Sequence, residues 1–74
     1  MKIFYVDFRN PVPVGKGEHA SLEYWSSEKH AKAGIKLEEK GNWIVLHMDA
    51  QADKPAFRIR VPMTNVACIK EREE

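Results

Sequence analysis

The chain opens on an alternation of apolar and polar residues that predicts a β-strand. In KIFYVDFR, residues 2 to 9, a period of two places successive side chains on opposite faces. One face carries Phe4, Val6 and Phe8, and the other carries Ile3, Tyr5, Asp7 and Arg9. Because the second face mixes apolar and charged residues, we expect a loop or a partner to cover part of it.

The next nine residues, NPVPVGKGE, predict a long loop that begins at Asn10. Two prolines remove backbone N–H donors and two glycines permit positive φ, so we interpret the segment as irregular. Residues 11 to 13, Pro-Val-Pro, are expected to lie near polyproline II and to resist collapse.

HASLEYW, residues 19 to 25, alternates again and predicts a second strand with Leu22 and Trp25 on opposite faces. A helix over residues 18 to 33 would align these two side chains, but it would place two lysines on the same stripe. We therefore favour a strand followed by a short helix near residues 27 to 33. A serine can cap that helix, Glu28 suits its positive first turn and Gly34 suits its end.

IKLEEKGNWIVLHM, residues 35 to 48, predicts a β-hairpin. Ile35 and Leu37 alternate with charged residues, and Gly41-Asn42 can take the positive φ of a tight turn. The run WIVLHM that follows is almost unbroken in its apolar character. It predicts a strand that is buried on both faces.

Pro62 interrupts the last apolar segment of the chain. In FRIRV, residues 57 to 61, the apolar side chains share one face and Arg58 and Arg60 share the other. Pro62 has no N–H, so the ladder must stop or lie at an edge. MTN then predicts a 3₁₀ turn in which Thr64 or Asn65 bonds the local backbone. A closing strand follows, and the whole pattern predicts one mainly-β domain, residues 1 to 74, folded as a small, partly open barrel of five or six strands.

Three segments resemble Src-homology-3-type barrels. LEEKGNWIVLHM is similar to the distal hairpin of that family, RVPMTNVACIKE to its 3₁₀ turn and closing strand, and FYVDF to its first strand. The resemblance implies an SH3-like fold more than a function. The chain departs from the family in its first loop, in the SSEKHAKAG insertion and in lacking paired tryptophans. The closing VPMTNV segment also resembles small accessory proteins of bacteriophages, which would imply action on a host factor.

Composition narrows the class of protein. Twelve Lys and Arg against eleven Asp and Glu leave a net charge of +1, too balanced for a strongly basic nucleic-acid binder or an acidic DNA mimic. A single cysteine, Cys68, cannot form an internal disulfide. Asp7 and Arg9 interrupt the first apolar run, so no signal peptide and no membrane contact are expected. The expected location is the cytoplasm, or the host cytoplasm if the protein is viral.

The sequence carries no pattern typical of catalysis or metal binding. His19, His30 and His47 have no second ligand three or four residues away, so no metal or other cofactor is expected. We expect His47 to be half-buried and the other two histidines to be solvated. Cys68 has an apolar flank, so we expect a buried small hydrophobe rather than a nucleophile. No enzymatic activity is predicted.

Arginine, lysine and aromatic side chains remain as candidates for binding. The candidate contact residues are Tyr5, Trp25, Lys36, Trp43, Arg58 and Arg60. Because Trp and Arg are enriched at protein interfaces, the leading prediction is a non-enzymatic accessory or regulatory protein that docks on another protein. The alternative is a binder of single-stranded nucleic acid, with phosphates on Arg58 and Arg60 and bases on exposed aromatic rings. A homodimer that pairs an edge strand is a third alternative.

A purely structural interpretation competes with these binding hypotheses. Arg58 and Arg60 would then pair with Glu38 or Asp7 on neighbouring strands. Both tryptophans would belong to the core, because a core this small needs its large aromatic side chains.

Overall fold

The computed structural model describes residues 2 to 15, 21 to 50 and 52 to 73, and it is mainly β, as predicted. The strands are β1 (Lys2–Pro13), β2 (Ser21–Ser26), β3 (Ile35–Lys40), β4 (Trp43–Met48), β5 (Phe57–Pro62) and β6 (Val66–Arg72). A single π-type helical turn, Ser27–Ala31, joins β2 to β3, and a 3₁₀ turn, Met63–Asn65, joins β5 to β6.

The described strands form two three-stranded antiparallel sheets. The first sheet has the order β2-β1-β6 and the second sheet has the order β3-β4-β5. The second sheet is a regular meander, because its three strands are consecutive. Since no backbone pairing among the described residues joins the two sheets into a closed cylinder, the predicted barrel is not confirmed.

One hydrophobic core lies between the two sheets. Its buried side chains are Val6, Phe8, Val12 and Trp25 from the first sheet and Ile44, Leu46, Met48 and Val61 from the second. Burying one such side chain contributes about 1.5–3 kcal/mol, so a chain of this size depends on all of them. The indole Nε1–H of Trp25 also donates to the carbonyl oxygen of Ile35 at 2.9 Å, which links β2 to β3.

A bulge in β1 changes which residues of that strand reach the core. Opposite β6, Ile3 pairs with Glu71 and Tyr5 pairs with Lys70, so β1 carries one extra residue at Phe4. Ile3 therefore packs against the core. The prediction that Phe4 shares the inner face with Val6 and Phe8 is wrong, because the bulge shifts the alternation by one residue.

A second irregularity lets β1 continue past the predicted start of the first loop. Asp7 pairs with Tyr24 and Val12 pairs with Leu22, so five steps along β1 match two steps along β2. The extra residues accommodate Pro11, which has no N–H to donate. The prediction that a loop begins at Asn10 is therefore wrong, since the strand runs to Pro13. The rest of that predicted loop, from residue 16, lies outside the described residues, as does His19.

The helical segment is shorter than predicted. Residues 27 to 33 were expected to form two turns, whereas the turn covers five residues, Ser27–Ala31. The Ser26 hydroxyl caps it by accepting from the Lys29 N–H at 3.2 Å, as a serine cap was expected to do. Gly34 follows with φ of +91°, where only glycine is unstrained, and returns the chain to β3.

The corner at Pro62 is confirmed. β5 ends there, the 3₁₀ turn follows, and β6 belongs to the other sheet. The Met63 N–H donates to the carbonyl oxygen of Asn42 at 2.9 Å, which fixes the corner to the β3–β4 turn. The prediction that Asn65 bonds its local backbone is wrong, because its side chain bonds Asn10 in the irregular part of β1 between Asp7 and Val12.

Only one face of β4 points into the core. Ile44, Leu46 and Met48 belong to the core cluster, whereas Trp43 is exposed and His47 is partly exposed. Val45 is buried on the opposite face, between Glu38 and Arg60 of the neighbouring strands. The prediction of a strand buried on both faces is therefore wrong, because charged neighbours cover only one position of the outer face. No helix among the described residues is long and apolar enough to cross a bilayer.

Candidate functional site

The outer face of the second sheet brings together four of the six residues predicted to bind. Cross-strand pairing arranges it in three rows of three side chains, which we call the basic face. The rows are Lys36–His47–Arg58, Glu38–Val45–Arg60 and Lys40–Trp43–Pro62.

Period-two alternation and a short turn fix the composition of the basic face. Ile35 and Leu37 pack against the core, so Lys36 and Glu38, which alternate with them, must point outwards. Lys40 pairs with Trp43 across a two-residue connection, and this pairing sets the register of the whole hairpin. Gly41 has φ of +56° at this turn, a conformation that residues with a side chain rarely adopt.

Trp43 and Arg60 form the aromatic contact of the basic face. Trp43 is 40 % exposed. The guanidinium carbon of Arg60 lies 5.5 Å from the centre of the indole ring, within the range of a cation–π contact. The arginine is thus held beside the ring, and both groups stay accessible to a ligand.

The charge of the basic face differs from that of the whole chain. Four cationic side chains and one carboxylate, Glu38, leave +3 with His47 neutral, against +1 for all 74 residues. Acidic residues must therefore be concentrated elsewhere. A net charge near zero does not exclude a strongly cationic surface in this protein.

The carboxylate of Glu38 contacts Lys40 on its own strand and His47 on β4, and it does not pair with Arg58 or Arg60. His47 Nε2 lies 3.2 Å from Glu38 Oε1, and Lys40 Nζ lies 3.6 Å from the same oxygen. The hydrogen bond from His47, with a smaller contribution from the charge of Lys40, lowers the pKa of Glu38 below its ordinary value of 4.5. The predicted ion pairs from Glu38 to Arg58 or Arg60 are wrong.

An open groove of about 820 Å³ continues the first row of the basic face towards the end of the sheet. Phe57, which is 47 % exposed, forms part of its wall together with Lys36, His47 and Arg58. Exposed large apolar side chains beside cations are typical of the centre of a protein interface.

The remaining two predicted contact residues lie elsewhere. Tyr5 is on the outer face of the first sheet, where it stacks on Tyr24. Trp25 is only 4 % exposed and its N–H is bonded to Ile35, so it offers no surface to a ligand. Including Trp25 among the contact residues is therefore wrong. The structural interpretation that both tryptophans belong to the core is confirmed for Trp25 and wrong for Trp43, which is exposed.

Lys40 and His47 belong to the basic face but were not predicted as contacts. The pairing of Lys40 with Trp43 follows from a two-residue turn at Gly41-Asn42, which the sequence does indicate. His47 is partly exposed, as expected. Extending the β3–β4 register from the turn would have placed Lys40 beside Trp43 and His47 beside Lys36.

His30 and Cys68 have environments opposite to those predicted. His30 is 7 % exposed, and its Nδ1 accepts from the Ser26 N–H at 3.0 Å. Burial, with a smaller contribution from Lys29, lowers the pKa of His30 below 6.5. Cys68 is exposed on β6, because the apolar residues beside it point to the other face of the strand. No group of three or more His, Cys, Asp or Glu residues in the described ranges could hold a metal ion.

Comparison with known proteins identifies no relative of this chain. No protein-family model, curated protein or solved structure matches this chain.

Proposed function

We propose that this is a non-enzymatic binding protein that docks on an acidic surface of another protein through the basic face. The observation that carries the proposal is the placement of Lys36, Trp43, Arg58 and Arg60 on one exposed sheet face with a net charge of +3. Trp and Arg are the residue types that most often dominate binding energy at interfaces.

Each part of the basic face has a role in such a complex. Trp43 supplies apolar contact area on the basic face, and Phe57 supplies more in the wall of the adjoining groove. Arg58 and Arg60 supply planar guanidinium groups suited to bidentate pairing with carboxylates. The net charge would speed association with an acidic partner and would make that association sensitive to salt.

Single-stranded nucleic acid is a second candidate ligand for the same face. Arg58 and Arg60 are two residues apart on one strand, about 7 Å, so they could follow successive anionic groups of an extended polymer. The ring of Trp43 could stack on a base. The basic face has a single aromatic ring, however, which favours a protein surface over a strand that needs several stacking sites.

The proposal extends to the fold, for which we infer a split SH3-like barrel. Supporting features are the β2-β1-β6 and β3-β4-β5 strand orders and the 3₁₀ turn before the last strand. The helical turn then belongs to the SSEKHAKAG insertion, which has no counterpart in that family. The resemblance to bacteriophage accessory proteins stays a prediction, and so do the host-factor target and the homodimer.

Affinity capture with matched variants tests the docking proposal. Immobilised protein would be exposed to lysate of the organism that encodes it, or of its host, at several salt concentrations. We expect one protein to bind the wild type, to be lost with Arg58→Gln/Arg60→Gln, and to be retained with Lys29→Gln/Lys70→Gln, which changes the opposite sheet. Capture that is unchanged by the Arg58→Gln/Arg60→Gln substitutions would rule out docking through the basic face.

A further inference from the structure

The outer face of the first sheet carries a second cluster of aromatic and cationic side chains, which we call the aromatic face. Its members are Phe4, Tyr5, Tyr24, Lys29, Lys70 and Arg72. It lies on the other side of the core from the basic face, so the two surfaces can act separately.

Two lysines flank a stacked pair of tyrosines on the aromatic face. Tyr5 and Tyr24 stack with their ring centres 5.4 Å apart and their planes 15° apart. Lys29 Nζ lies 5.8 Å from the centre of the Tyr24 ring, and Lys70 Nζ lies 4.9 Å from that of Tyr5. Two ammonium groups are thus positioned against a stacked pair of tyrosines.

The β1 bulge adds a third ring to this face. Because the bulge removes Phe4 from the inner face, Phe4 and Tyr5 are consecutive residues that both lie outside the core cluster. The guanidinium carbon of Arg72 lies 4.8 Å from the centre of the Phe4 ring. Every ring on the face therefore has its own cation within 6 Å.

We propose that the aromatic face binds single-stranded nucleic acid. The three cations, each in contact with a ring, favour an anionic polymer. Three rings provide stacking area for bases, and stacking accepts any base sequence. Because a cation lies beside each ring, a base that stacks on a ring would have its phosphate within reach of a positive charge.

Binding proceeds by exchange of partners on the rings. Lys29, Lys70 and Arg72 contact rings at the protein surface, where a cation–π contact is weaker than the stacking of a base on an aromatic side chain. A base can therefore displace each cation from its ring. The displaced ammonium or guanidinium group then contacts the neighbouring phosphate. The ring exchanges a cation for a base, and the cation exchanges a ring for a phosphate.

The hydroxyl of Tyr5 is a hydrogen-bond donor on this face. Desolvation, followed by the charge of Asp7, raises the pKa of Tyr5 above 10.0, so the hydroxyl is protonated at neutral pH. It can donate to a phosphate oxygen.

Fluorescence anisotropy with a labelled oligothymidylate of about 12 nucleotides tests this proposal across a salt series on the full chain. We expect Lys70→Gln/Arg72→Gln to weaken binding and to reduce the slope of log K against log salt by about 1.4, the value for two phosphate contacts. Tyr5→Leu should weaken binding about 5- to 100-fold and leave that slope unchanged, because it removes stacking without removing charge.

The matched control is Arg58→Gln/Arg60→Gln, which changes two cations on the basic face. We expect this variant to bind the oligonucleotide as the wild type does. Loss of binding in this variant alone would assign nucleic acid to the basic face and overturn the proposal. Absence of oligonucleotide binding at low salt, or equal binding of polyglutamate, would also overturn it, the latter by indicating an acidic protein as the ligand.

Failure of this proposal and failure of protein docking are distinguishable. Docking on a protein is tested by capture that depends on Arg58 and Arg60, whereas nucleic-acid binding is tested by titrations that depend on Tyr5, Lys70 and Arg72. If Tyr5→Leu does not fold, the exposed Lys70→Gln/Arg72→Gln pair still decides the outcome, because both side chains lie on the surface.

Discussion

Asn65 bonds the backbone of Asn10 on both sides, although 55 positions of the chain separate the two residues. Asn65 Oδ1 accepts from the Asn10 N–H at 3.0 Å, and Asn65 Nδ2 donates to the Asn10 carbonyl oxygen at 3.1 Å. A side-chain amide thus replaces the backbone partner that the bulged part of β1 lacks. These hydrogen bonds connect the irregular part of β1, between Asp7 and Val12, to the 3₁₀ turn.

Removing this amide should destabilise the fold. Asn65→Ala deletes three hydrogen bonds to Asn10 at an exposed site, two to its backbone and one from its side-chain amide, so we expect a loss of about 1–2 kcal/mol in the free energy of unfolding, measured by urea denaturation. Thr64→Ala, one residue away and exposed, should stay within about 0.5 kcal/mol of the wild type. Equal effects of the two substitutions would contradict a specific role for Asn65.

The two tryptophans should respond differently to replacement by phenylalanine. Trp25→Phe removes the N–H bond to Ile35 and leaves a gap in the core, so we expect a loss of about 2–4 kcal/mol. Trp43→Phe changes an exposed ring and should cost less than about 1 kcal/mol. Thermal and chemical denaturation of both variants would check this, and a larger effect at Trp43 would be the contrary result.

His30 should make stability depend on pH. Its pKa in the folded protein is lowered, chiefly by burial and then by Lys29, so the unfolded chain binds more protons just below pH 6.5. The stability contributed by neutral His30 is complete above pH 6.5 and is lost as the pH falls towards the lowered pKa of the folded protein. Because Tyr24 packs against the imidazole edge and carries no positive charge, Lys29 is the cation that opposes protonation.

Denaturation between about pH 5 and pH 7.5 would test this dependence with His30→Asn as the comparison. Asn can accept from the Ser26 N–H as the imidazole does, but it does not titrate. We expect the slope of stability with pH to be smaller in the variant. Glu38 does not interfere, because its pKa lies below 4.5 and its contribution is lost only at lower pH. An identical slope in both proteins would show that another group is responsible.

Cys68 should react with a thiol reagent in the folded protein. It is exposed on β6, so a maleimide should label the native chain at a rate comparable to that in denaturant. Mass spectrometry would count one adduct per chain. Labelling that requires denaturant would place the thiol in the core, as its sequence neighbours suggest.

The second sheet could be predicted in detail because its signals are local. A two-residue turn fixes the β3–β4 register, period-two alternation assigns the faces, and Pro62 marks the end of β5. Four contact residues of the basic face follow from these features alone. The hairpin register gives Glu38 as one outer neighbour of Val45, whereas the second neighbour, Arg60, depends on how β5 aligns.

The first sheet could not be predicted in the same detail because its pairing is non-local. The bulge at Phe4 depends on how β6 aligns, nearly seventy residues later, and alternation within β1 carries no information about that register. For the same reason, the sequence does not place Tyr24 beside Tyr5 or turn Cys68 outwards. Burial of His30 depends on the packing of a five-residue turn that is too short to give a periodic signal.

The bond from the Met63 N–H to the Asn42 carbonyl has a mechanical consequence. Asn42 precedes Trp43 on the basic face, and Met63 lies three residues before the strand that carries Lys70 and Arg72. This backbone contact is therefore a short bridge between the two outer surfaces. The turn that orients β6 is therefore anchored to the residue that precedes Trp43.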